Sequence, residues 1–237
     1  MRAVIPFTGG LLFFLLSSET NTLSQAPPKD PFGPRPEPGL RGALVFEEKS
    51  KLPLPKGYKL LYEQTFDEPS ALKDFVFTDA KAWKISQDEK SAALELVTQS
   101  KYEPKARSPL NIALIADKIF GDFILEVDLL STKEPYGHQD MCIFFGFVGP
   151  TQFYYNHIAV AADPNAHNLF IVNDAPRKNF AKETTKGITW NKNQWHKVRL
   201  ERKISDGTIK VFFDDMTKPI MRGEEKTFGT ASSRWLE

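Results

Sequence analysis

Phe123-Ile124-Leu125-Glu126-Val127-Asp128-Leu129 decides the fold class. Side chains alternate there with a period of two. Phe123, Leu125, Val127 and Leu129 therefore share one face of a strand, and Glu126 and Asp128 lie on the other. Downstream, Trp195 to Arg202 alternates again with Val198 and Leu200 inward, and Thr208 to Asp214 returns across the turn Ser205-Asp206-Gly207. Asp140 to Val148 is nearly continuous apolar sequence, which predicts a central strand covered on both faces. Further strand candidates are Tyr58 to Phe66, Asn111 to Ala116, Phe153 to Ala161 and Asn168 to Asn173, with Trp83 to Ile85 and Ala92 to Thr98 as a pair. Only Ser70 to Phe75 reads as helical. About ten strands with almost no helix predict an all-β fold, two antiparallel sheets packed as a sandwich.

Composition bounds what this sandwich does. The chain has 237 residues, 41% hydrophobic and 26% charged, which suits one globular domain with a tail. Its 31 basic and 30 acidic residues give a net charge of +1, so no global field draws in nucleic acid. Cys142 is the single cysteine, which excludes an intrachain disulfide and a zinc site built on several thiolates.

Residues 1–26 read as an export signal. Arg2 supplies a positive start, Ala3 to Leu16 an apolar run, and Ser24-Gln25-Ala26 the small residues of a cleavage site. That run is too short for a comfortable membrane span. Residues 27–55 contain eight prolines and read as an extended linker. Residues 56–237 form the sandwich domain, expected to be secreted or periplasmic.

The strand Trp195-His196-Lys197-Val198-Arg199-Leu200-Glu201-Arg202, the hairpin through Gly207 to Asp214, and Gly121-Asp122-Phe123-Ile124-Leu125-Glu126-Val127 resemble concanavalin A-like, laminin-G-like jelly rolls. The chain is similar to secreted bacterial proteins near the 3-keto-disaccharide hydrolase-type domains. The resemblance spans about Gly57 to Phe228. It implies carbohydrate binding or processing, and this architecture also hosts lyases and adhesion modules. Glu126-Val127-Asp128-Leu129 imitates the start of a glucanase paired-carboxylate signature, but Leu130 and Ser131 stand where its further Glu belongs, so a solvated strand face is expected. The resemblance also implies a further strand after Phe228-Gly229. Thr230 to Glu237 does not read as one, so the sandwich is expected to lack its final strand.

Polar residues set among aromatic strands are the candidates for chemistry. His138-Gln139-Asp140 opens one apolar strand, Phe153-Tyr154-Tyr155-Asn156-His157 forms the next, and His167-Asn168 begins another that leaves through Asn173-Asp174-Ala175-Pro176-Arg177. Tyr155 and His157 share a face by the two-residue period, as do His138 and Asp140. Three readings follow. A glycan site on a concave sheet face would use His157, Tyr155, His138 and Asp140, with Asn156, His167, Asn168, Asp174 and Arg177 bonding hydroxyls or an acidic group. A glycoside hydrolase or polysaccharide lyase would use His157, Tyr155, His138 and Asp140 as its catalytic set, with His157 and Tyr155 as the proton-transfer pair of a lyase and Arg177 clamping a carboxylate. A divalent metal could be held by His138, Asp140, His157 and His167, although their spacing matches no standard zinc motif and nothing requires a cofactor. An adhesion module without a small-molecule site is the remaining class. His196 is expected to pack structurally, and Cys142, inside an apolar run, to be inert. The sequence does not set the oligomeric state.

Overall fold

The computed structural model describes residues 2–5 (backbone), 57–87, 92–116, 118 and 120–228. Its strands in chain order are β1 (Arg2–Ile5), β2 (Phe75–Phe77), β3 (Trp83–Gln87), β4 (Ala92–Leu96), β5 (Ala113–Ile115), β6 (Phe123–Ser131) and β7 (Asp140–Gly149). They continue with β8 (Gln152–Ala159), β9 (Asn168–Asn173), β10 (Lys178–Asn179), β11 (Ala181–Thr184), β12 (Trp195–Arg202), β13 (Thr208–Phe213) and β14 (Met221–Glu224). Two short 3-10 turns, Pro69–Asp74 and Ala80–Ala82, complete the described elements.

The architecture is an all-β sandwich. An eight-stranded sheet runs β11-β14-β13-β12-β6-β1-β4-β3, a four-stranded sheet runs β10-β9-β8-β7, and β2 pairs with β5. The β6 alternation holds: Phe123, Val127 and Leu129 are buried and Leu125 is half-buried against the core. Across the register Val198↔Val127 and Leu200↔Leu125, β12 presents His196, Val198, Leu200 and Arg202 to the same side. Met141, Ile143 and Phe145 of β7, Tyr154 and Ile158 of β8, and Leu169 of β9 meet that side to form the main core. At about 25 cal/mol per Å² of apolar surface removed from water, this burial is the main favourable contribution to folding.

Several expectations are corrected. β7 lies at an edge of its sheet rather than at the centre. Its continuous apolar run arises because both of its faces are covered. One meets the main core, and the other a second core of Phe144, Phe147, Phe153, Tyr155 and Phe170 roofed by Ala106, Ile112 and Leu114. Tyr58 to Phe66 forms no strand. Tyr58, Leu60 and Leu61 are exposed, and the segment is tied down instead by Tyr62 and Gln64 donating to Asp74 and by buried Phe66. β2, β10, β11 and β14 are additions to the expected strands. The region expected to be helical is the 3-10 turn at Pro69–Asp74.

β1 pairs in parallel with both β4 and β6, so the sheets are not wholly antiparallel. Its residues belong to the segment expected as an export signal. The rest of that segment, the proline-rich linker and Thr230 to Glu237 lie outside the described residues. Among the described residues no helix is long and apolar enough to cross a membrane.

Candidate functional site

The face of the four-stranded sheet turned away from the main core carries the candidate chemistry. Along β7, Asp140 and Cys142 are two residues apart and share this face. In the antiparallel register Cys142 sits opposite His157, and Phe144 opposite Tyr155. Tyr155 in turn faces Phe170 of β9. The middle of the face is therefore aromatic and closed: Phe144 stacks on Tyr155 at 5.2 Å between ring centroids, and Tyr155 on Phe170 at 5.2 Å. Polar groups are left to one end.

At that end they form one connected network. His157 Nε2 lies 2.8 Å from Asp140 Oδ2. His157 Nδ1 lies 3.1 Å from the Asn165 carbonyl oxygen. A carbonyl only accepts, so Nδ1 carries a proton and donates. The same carbonyl accepts from Arg177 Nη2 at 2.9 Å, and Arg177 Nη1 donates to Tyr155 Oη at 3.0 Å. The guanidinium stands over the Phe170 ring, 4.9 Å from its centroid, in cation–π geometry. No carboxylate pairs with Arg177 among the described residues, and its Nε is buried with no hydrogen-bond partner there.

Asn165 is the residue that sequence reasoning missed. Its contribution is a main-chain carbonyl, which no side-chain pattern reveals. The loop that presents it is built locally: Asn165 N donates to Asp163 Oδ1 at 2.6 Å, and Asn168 Nδ2 donates to the carbonyls of Asp163 and Ala166. Asn168 thus shapes the loop.

The remaining candidates fall elsewhere. Asn156 lies on the opposite, core-facing side, fully buried, where Oδ1 accepts from Ile143 N at 2.7 Å. His167 is also fully buried. Its Nδ1 accepts from Ala159 N at 3.2 Å, which leaves Nε2–H to donate to Thr185 Oγ1 at 2.9 Å. Burial pushes its pKa down to about 4. Asp174 closes the far end of the β8–β9 pair, bonded to Thr151 and Gln152. His138 is exposed in the turn before β7. The four-residue metal set of His138, Asp140, His157 and His167 is not assembled, because His167 is engaged by Ala159 and Thr185.

Charge states follow from burial. Tyr155 is raised well above the ordinary phenol value, chiefly by desolvation, so it holds its proton at neutral pH. The Cys142 thiol is pushed up by complete burial and by the Asp140 carboxylate, against a smaller opposing effect of Arg177. On the other sheet, Glu126 accepts from Arg199 Nε at 2.9 Å and from Nη2, and Asp128 lies 3.9 Å from Lys197 Nζ. That is a solvated face of cross-strand charge pairs. His196, buried, is held by Asp214 at 2.8 Å and stacks on Phe213. A surface cleft over the first 3-10 turn, lined by Gln64, Thr65, Glu68, Ser70 and Asp74, contains none of the candidate residues.

No family model matches the chain, and no curated protein matches it. A similar solved structure is the carbohydrate-binding module CBM66 from Bacillus subtilis, at 13% identity and a TM-score of 0.43 over 66% of this chain and 82% of that one. At this level of likeness the ligand of that module says nothing of a ligand here.

Proposed function

We propose that the chain is an exported carbohydrate-binding sandwich, whose ligand is met at the Asp140–His157–Arg177 end of the four-stranded sheet. The observation that carries this reading is the state of Arg177. Its guanidinium is braced on Tyr155 Oη and the Asn165 carbonyl, lies over an aromatic ring, and has no carboxylate partner among the described residues. A planar cation fixed in this way offers its remaining donors to sugar hydroxyls or to an acidic group. The Asp140 carboxylate, paired with His157 in the same network, supplies acceptors for further hydroxyls.

Turnover has less support. Retaining hydrolysis needs two carboxyls about 5 Å apart. The network holds Asp140 alone, and Glu126 belongs to the other sheet, paired with Arg199. A lyase base needs a free lone pair, yet His157 has one ring nitrogen on Asn165 and the other on Asp140. Tyr155 is buried and keeps its proton.

The test is titration of a panel of neutral and acidic oligosaccharides into the protein, followed by mass spectrometry of the incubated sugars. Saturable binding with unchanged masses is expected. Fragments with an added water, or unsaturated fragments, would contradict the binding-only reading, and no binding across the panel would contradict the carbohydrate reading.

A further inference from the structure

We propose that Asp140, Cys142 and His157 form a binding site for a zinc-type divalent cation. The three side chains project from two paired strands onto one face, and their Oδ, Sγ and imidazole nitrogen atoms all lie within 4.8 Å of one another. Metal–ligand bonds of 2.0–2.3 Å in a tetrahedral site put ligand atoms about 3.5 Å apart, so small side-chain rotations suffice.

The hydrogen bonding on His157 favours this. Because Nδ1 donates to the Asn165 carbonyl, the lone pair of a neutral ring lies on Nε2, the atom facing Asp140 Oδ2 at 2.8 Å. Two acceptors at that distance require a cation between them, either a proton or a metal. Bonding of the distal ring nitrogen to a main-chain carbonyl is also the outer contact that orients metal-bound imidazoles. Cys142 supplies the third ligand directly across the register from His157.

Exchange of the one cation for the other balances. The Nε2 and Sγ protons leave, one divalent ion enters, and the net charge of the site, ion included, is unchanged. One oxygen, one sulfur and one nitrogen suit zinc or cobalt(II) better than calcium or magnesium. Three protein ligands leave a fourth position open. The inference stands apart from the sugar reading, since no sugar enters its argument.

The experiment is titration of the EDTA-treated full-length protein with cobalt(II), read by absorption. Cys142 is the only cysteine of the chain, so a sulfur-to-cobalt charge-transfer band in the near ultraviolet reports that thiolate alone. The expected result is a band that saturates at about one equivalent of metal and is abolished by excess zinc, in line with the order of divalent affinities. It is lost in Cys142→Ala and in His157→Gln variants whose circular dichroism matches the parent. Absence of the band in the parent, cobalt uptake without it, or its survival in His157→Gln would overturn the proposal. Because the parent alone can overturn it, a variant that misfolds does not shield it.

Discussion

His157 Nε2 stands 2.8 Å from Asp140 Oδ2 while its Nδ1 donates to the Asn165 carbonyl, so one imidazole ties an edge strand to the loop beyond β8. Both side chains are largely buried. Removing one partner leaves the other a charge or polar group without its compensation. Asp140→Ala is expected to lower the unfolding free energy by about 3 kcal/mol. Urea denaturation measures it. A loss under about 0.5 kcal/mol would mean that the pair is not formed.

Stability should depend on pH through His167. Its folded pKa is about 4, lowered from 6.5 by burial. Between these values the unfolded chain binds more protons than the folded one, so stability is present above pH 6.5 and is lost as pH falls towards 4. The slope from this single group is at most about 1.4 kcal/mol per pH unit. His167 has a φ of 52°, a conformation that asparagine tolerates, so His167→Asn removes the titration with little backbone cost. Its stability curve should be flatter than the parent's between pH 4 and 6.5. Parallel curves would contradict the buried neutral histidine.

Glu126 and Arg199 offer a control. Their pairing lies on a half-exposed face of the eight-stranded sheet, and exposed pairs contribute at most about 1 kcal/mol. Glu126→Gln is therefore expected to leave sugar binding unchanged and to shift stability by less than that amount. Loss of binding in this variant would move the site to the other sheet.

Gly187 packs against the chain leaving β8. Its φ is 138°, and an added Cβ would come within 2.0 Å of the Val160 carbonyl oxygen, a main-chain atom that cannot swing away. Gly187→Ala combines strain with overlap and should cost about 3 kcal/mol or more. Thermal melting would show it as a clearly lowered midpoint. An unchanged midpoint would contradict the described path of Thr185 to Ile188.

The large strands were legible because their side-chain period is set by burial on one face. Phe123 to Leu129 and Trp195 to Arg202 alternate because one side meets the core and the other meets water. Asp140 to Val148 misled on position. Continuous apolar sequence reports coverage of both faces, and a second aromatic core covers an edge strand as effectively as flanking strands cover a central one. β14 was illegible because Met221-Arg222-Gly223-Glu224 is short and mostly polar, and its pairing with β13 supplies what its sequence does not.

Among the candidate residues, the two-residue period joined Tyr155 to His157, and the strand register then set Cys142 opposite His157, with Asp140 two residues along β7 reaching the same imidazole. Asn156, one position from each of them, necessarily points to the core. Arg177 reaches the network only because its loop returns past Asn165, which no local pattern encodes.

The most direct test of the account is the affinity of the tightest-binding oligosaccharide for the parent protein and for Arg177→Gln. A hydrogen bond to a charged group contributes about 1.5–3 kcal/mol, so the variant should bind at least about tenfold more weakly, with its fold retained. Equal affinity in parent and variant would contradict a sugar site at the Asp140–His157–Arg177 network.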